Sequence, residues 1–239
     1  MISDYFVYGG MGMTNADPTY ILQKILYRLG STYGFQELTA TYVPALDFKV
    51  RWQRAGGRIE LLIPDYLEDA PEEILEEFLK ELFGKMNGNA GENSQKLKEW
   101  LTRPEFSAEK QPVYLSRNTN ILRKTKGEYK DLNLSFTRLQ SKGLIAEIPG
   151  LYLSWVDGDS DQEIGRTSVL MKVVAINNTL DSEYMPDYVL DYCLYSELAR
   201  LIVGYNPAIN GELERQRLLR KFEQDKEARQ WIKDAGLLL

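Results

Sequence analysis

The chain has 239 residues, 44% of them hydrophobic, and 29 Lys+Arg against 35 Asp+Glu leave a net charge of −6. That balance suits one or two globular domains with an adequate core, and it argues against a nucleic-acid footprint, which needs clustered Lys and Arg. Histidine is absent and cysteine occurs once, as Cys193, so Ser-His-Asp and Cys-His sites are excluded and a structural zinc lacks its ligands.

What stays open to metal chemistry is carboxylate ligation of a hard cation. No apolar run reaches the roughly 18 residues of a membrane span. The opening MISDYFVYGG shows no basic region followed by an apolar stretch, so no signal peptide is expected. A single cysteine suits a reducing compartment, and the expectation is a cytoplasmic protein. Cys193 itself reads as a buried, inert thiol.

A short apolar stretch at 5–8 is followed by a glycine-rich one at 9–13, which lacks both G-x-G-x-x-G and the Walker lysine and reads as a turn or arm. Thr14 or Asp17 can cap a helix over 18–31, with Ile21, Leu22, Ile25, Leu26 and Leu29 as its apolar face. Strict alternation over 46–52 reads as a half-buried strand, and 58–63 as the return of a hairpin. A helix follows over 71–86, its inner face Ile74, Leu75, Phe78, Leu79 and Leu82, with the carboxylates at 72, 73, 76 and 77 solvated.

The polar NGNAGENS at 87–94 reads as a linker, which divides the chain into an N-terminal α+β module over 1–88, a connection at 89–95 and a second domain over 96–239. A short helix is expected at 95–101, an extended piece at 112–117 and a helix over 131–142. Strand 151–156, the acidic turn 157–163 and an extended run over 165–176 come next. That acidic turn lacks the spacing and final glutamate of a calcium loop. After a loop at 206–211, one charged helix is expected over 212–235, carrying Leu218, Leu219, Phe222 and Trp231.

The strongest helical signal lies over 186–204. Val189, Tyr192, Cys193, Tyr195, Leu198, Leu201 and Ile202 recur at spacings of three and four. Pro186 opens it, Asp187 and Asp191 face the positive end of the dipole, and Gly204 can cap it. Inside it Ser196-Glu197-Leu198-Ala199-Arg200 has the shape of H-E-x-x-H with both histidines replaced. In that motif two histidines four apart chelate one zinc and the glutamate acts as general base. The element order also suggests a duplicated α-β-β-α unit, with helix 18–31, hairpin 46–63 and helix 71–86 matching helix 131–142, hairpin 151–176 and helix 186–204.

The segment VLDYCLYSELAR, after the turn at 180–186, resembles the active-site helix of the minigluzincins and their SprT-like relatives, small zinc metallopeptidases in which it reads V-L-D-Y-V-x-x-H-E-L-x-H. The resemblance extends over 132–155 and 214–231, about half the chain. It implies an α+β fold, with a small twisted sheet behind the helix and a zincin-like C-terminal half. It also implies an edge strand that pairs with substrate backbone, here at about 169–176, where Met171, Val173 and Ala175 alternate with Lys172 and Val174. The vestigial metal positions are Ser196 and Arg200, with a third near Gly211 or Glu212.

The expectation is therefore a catalytically inactive metallopeptidase homologue with a vestigial Glu197 and neither metal nor cofactor. Peptide or protein binding would outlive hydrolysis, because strand addition needs only an exposed edge and side-chain pockets. The alternative is a hydrolase with carboxylate-based metal chemistry using Glu197. A nucleic-acid role by analogy with SprT-like relatives is disfavoured by charge, and no membrane partner is expected. A Glu197–Arg200 ion pair, with Glu212 or Glu214 joining it, is expected to close the former site; otherwise Arg200 reaches solvent.

Overall fold

The computed structural model describes residues 17–35, 37–55, 58–88, 94–158, 162–205 and 211–238. The glycine-rich stretch at 9–13, the alternative cap Thr14, most of the linker, the middle of the acidic turn and the loop at 206–210 lie outside them. The chain forms two compact units, residues 1–94 and 95–239. Its helices and two three-stranded sheets make it an α+β protein.

In the first unit α1 (Pro18–Thr32) starts where Asp17 accepts the Thr19 N–H at 2.8 Å. That side-chain acceptor satisfies one of the orphan donors of the first turn. Strands β1 (Glu37–Val43), β2 (Arg51–Ala55) and β3 (Arg58–Pro64) form a sheet in the order β1-β3-β2, with β1 parallel and β2 antiparallel to β3. A 3₁₀ turn leads to α2 (Glu72–Met86), whose N-cap position holds Pro71. Ile59, Leu61 and Ile63 of β3 are buried, as are Leu22 and Ile25 of α1 and Leu75 and Leu79 of α2. Gly30 leaves room for the Leu38 side chain, which any Cβ there would overlap.

Two expectations change here. Strand β1 carries an alternating Leu38, Ala40 and Tyr42 that sequence reading passed over. The strand expected over 46–52 begins only at Arg51. Residues 46–48 bend instead, with Phe48 edge-on to Phe78 of α2 at 6.4 Å and the Tyr66 hydroxyl donating to the Ala45 carbonyl at 2.8 Å. Those side contacts compete with ladder pairing and prevail.

The second unit opens with α3 (Gln95–Thr102) and α4 (Pro104–Arg117). The extended piece expected at 112–117 is thus helical, with Pro112 inside α4. Burial of Phe106 and Tyr114 on that helix outweighs the lost Pro112 N–H. Helix α5 (Leu132–Ser141) is capped by Asp131, which accepts the Asn133 N–H at 2.8 Å.

Strands β4 (Tyr152–Val156), β5 (Gly165–Ser168) and β6 (Val173–Asn177) form the second sheet in the order β4-β6-β5. The supposed hairpin over 151–176 is a parallel β4–β6 pair, and the hairpin proper is β5–β6. A turn at 169–172 breaks the single run expected over 165–176, with Lys172 at φ 51°.

Helix α6 (Asp187–Val203) is the centre of this unit. Every residue from Val189 to Ala199 is buried, so the helix is enclosed on all sides and does not show one apolar stripe. It packs on α5, β5, β6, α7 (Gly211–Leu219) and α8 (Asp225–Asp234). Arg138 of α5 grips the buried Asp191 through Nε at 2.9 Å and Nη2 at 2.6 Å, and Ser135 donates to the same carboxylate. That pairing holds the Arg138 guanidinium above its ordinary pKa.

The one helix expected over 212–235 is two. Phe222 drops into the core against Tyr192 and Tyr195, ring centroids 5.2 and 6.1 Å away. The Tyr195 hydroxyl donates to the Leu218 carbonyl at 3.0 Å and that of Tyr192 to Asp225 at 2.6 Å, so α6 anchors both sides of the break.

Candidate functional site

Ser196, Glu197 and Arg200 share one side of α6 because residues three and four apart are helical neighbours. Two other elements bring side chains to that side. Strand β5 supplies Thr167, whose hydroxyl donates to Glu197 Oε2 at 2.6 Å and lies 3.2 Å from the Glu197 carbonyl oxygen. Helix α7 supplies Arg215, whose Nη1 donates to Ser196 Oγ at 2.7 Å.

Glu197 is 1% exposed. Its Oε1 accepts no hydrogen bond among the described residues, although Arg200 Nε lies 3.4 Å away. The distance makes an ion pair, while the angle does not make a hydrogen bond. The expected Glu197–Arg200 pair is present, and Arg200 keeps a foot in solvent with its side chain 44% exposed.

Glu212 stands in the first turn of α7 and is held by Arg215 through two parallel bonds, Nε–Oε2 and Nη2–Oε1, both 2.8 Å. This fork geometry suits guanidinium and carboxylate. It pulls the Glu212 carboxyl down to about 2, against the opposing effect of burial and with help from the Gln216 hydrogen bond and the charges of Arg215 and Arg200. The same bonds hold Arg215 above its ordinary pKa, with the charges of Glu212 and Glu197 adding to them. Glu214 pairs instead with Arg217.

The cluster thus holds two carboxylates and two guanidinia around the hydroxyl of Ser196. Among the described residues no three His, Cys, Asp or Glu side chains group as a metal ligand set. Ser196 accepts from a guanidinium, which is the wrong partner for activating a nucleophile. Burial pushes the Cys193 thiol up, and the Glu197 charge adds to it, which keeps it in its unreactive protonated form.

A cleft of about 350 Å³ opens beside the cluster, lined by Glu163, Ile164, Gly165, Arg166, Thr167, Glu197, Arg200 and Leu238. Its sheet wall is β5, one of the two outer strands. The expected peptide edge at Met171, Val173 and Ala175 is corrected by the topology: Met171 lies in the buried turn, and Val173 and Ala175 sit on the fully buried central strand β6. The far side of the sheet is covered, since Leu122 N–H donates to Trp155 O at 2.9 Å, Trp155 N–H to Lys124 O at 2.9 Å and Asp157 N–H to Asn120 O at 2.8 Å.

Sequence reading missed Arg215 and Thr167. Arg215 had a signal, the E-x-x-R spacing with Glu212. Thr167 had none, because the packing of β5 on α6 is non-local. No family description, curated protein or solved structure matches the chain.

Proposed function

We propose that the protein is a catalytically inactive relative of zinc metallopeptidases that binds an extended peptide or protein segment along β5. The observation that carries this reading is the Glu197 cleft itself. Its former ligand positions hold Ser196 and Arg200, one bonded to Arg215 and the other paired with Glu197, while the outer strand beside them lines an open cleft. Guanidinium groups take over the charge compensation a dication would supply.

Leu238 N–H donates to Gln162 O at 2.7 Å and Ile164 N–H to Leu238 O at 3.1 Å, an isolated parallel bridge on the backbone leading into β5. The test is hydrogen–deuterium exchange of the whole chain with a pool of random-sequence decapeptides. Protection of the amides of 165–168 is expected. No protection, or protection confined to other segments, overturns the reading.

One observation favours the alternative, a hydrolase using Glu197 with an oxygen-ligated metal: Glu197 Oε1 lies buried without a hydrogen bond in the cleft wall. Arg200 Nε at 3.4 Å opposes a cation there. Titration with zinc, manganese and calcium separates the two readings, and stoichiometric binding lost in Glu197→Gln would favour the enzyme.

The same reading takes the two units as copies of one ancestor. Both have a helix, three strands in the order first-third-second with the first parallel and the second antiparallel to the central third, a 3₁₀ turn and a helix. Pro71 and Pro186 cap those helices equally far beyond the first residues of β3 and β6. In this reading the protein works in a reducing, cytoplasmic compartment, with Cys193 buried; among the described residues no helix is long and apolar enough to cross a membrane.

A further inference from the structure

A second cavity in the 95–239 unit lies apart from the Glu197 cluster. It measures about 170 Å³, and Leu101, Ile148, Leu170 and Leu201 give it an apolar lining. That size matches one compact hydrocarbon group, since a cavity of about 150 Å³ lined by such residues stays dry and takes up benzene. Two cations also line it, Arg103 and Lys172, and among the described residues no acid does.

Arg103 stands between α3 and α4 with its guanidinium 4.6 Å from the centroid of the Trp100 ring. Its Nε is buried and donates to nothing among the described residues. A buried donor without an acceptor is costly unless something absent from the protein supplies one.

Lys172 is placed at some cost. It is a non-glycine residue at φ 51°, a conformation that persists only where the surroundings enforce it. Tyr152 N–H holds its carbonyl at 2.8 Å, and Gln111 of α4 ties the neighbouring Gly150 and Met171 carbonyls at 2.9 and 2.8 Å. Its ammonium donates to Pro149 O at 3.1 Å, one of the three protons such a group can give.

We infer that this cavity is a binding site for a carboxylate carried on a compact branched or aromatic apolar group, its hydrocarbon among the leucines and its charge between Arg103 and Lys172. The fork of Arg103 suits a carboxylate, and the apolar walls strengthen the pairing by excluding water. This chemistry is shared by a small free acid and by the last residue of a peptide. It does not depend on strand addition at β5, because a small acid has no backbone to pair.

The test is calorimetric titration of the whole chain with four probes: 4-methylpentanoate, 4-methylpentanamide, and a pentapeptide ending in leucine with a free or an amidated terminus. Saturable binding of at least one acid is expected, about tenfold to hundredfold tighter than its amide. Arg103→Met should lose a similar factor with an unchanged melting profile, and Lys172→Met several-fold. If Arg103→Met unfolds, Lys172→Met and the acid-against-amide comparison on the unaltered protein decide. Tightest binding by the small acid assigns a free acid as ligand, and by the peptide acid a chain terminus. Equal binding of acid and amide, no saturable binding of any probe, or unchanged affinity in a folded Arg103→Met overturns the proposal.

Discussion

Arg215 holds Ser196 with one Nη and Glu212 with Nε and the other, so it ties α7 to the middle of α6. Arg215→Met removes three bonds, one of them to a fully buried hydroxyl. The expected cost is about 2–3 kcal/mol, read from urea unfolding. The same contact gives Glu212 a pH signature. A carboxyl lowered from 4.5 to about 2 in the folded protein contributes stability above its unfolded value and loses it as pH falls through the folded one. The unfolding midpoint of the wild type should therefore drop between about pH 4.5 and 2 more steeply than that of Glu212→Gln. Parallel curves for the two proteins would contradict the assignment.

Glu197 and Arg200 call for a double-mutant cycle. Arg200→Met leaves a buried carboxylate with the Thr167 hydroxyl alone on one oxygen, at a cost of about 1–2 kcal/mol given the half-exposed partner. Glu197→Gln keeps that hydroxyl contact without the charge. The double mutant should recover most of the Arg200→Met loss, an interaction visible as non-additivity in the unfolding free energies.

Among the elements, β5 owes its position to a missing side chain. A Cβ on Gly165 would stand 2.6 Å from the Ala175 carbonyl oxygen, so Gly165→Ala should push β5 off β6. The expected cost is about 1–3 kcal/mol, with faster amide exchange over 165–168. Helix α4 offers the opposite case. Pro112 in its interior removes a hydrogen bond and crowds the preceding turn. Pro112→Ala should raise thermal stability by about 1–3 kcal/mol, measured by calorimetry.

Elements with local signals were legible: the cap Asp17, the apolar spacing of α1 and α2, and the Pro186–Gly204 frame of α6. Those set by distant partners were not. The break between α7 and α8 follows from Phe222 reaching Tyr192 and Tyr195 of α6, and no nearby residue announces it.

At the scale of the whole molecule, the 95–239 unit encloses its own core, from Leu132 through Trp155 and α6 to Ile232. Expressed alone, it should melt cooperatively and keep its helical circular dichroism. A non-cooperative melt would show that it needs the first unit.

Composition alone determined that no imidazole can act here, because no histidine is present. Local patterning determined where α1, α2, α5 and α6 fall and that Glu197 sits between Ser196 and Arg200 on the last of them, because helix spacing is intrinsic to the backbone. Tertiary structure decided which strand faces the cleft. Strand order depends on hydrogen bonds between segments far apart in the chain, and these put Val173 and Ala175 at the sheet's centre and Thr167 at its rim. It also decided that a guanidinium from α7 meets Ser196, since neither residue carries a local sign of the other.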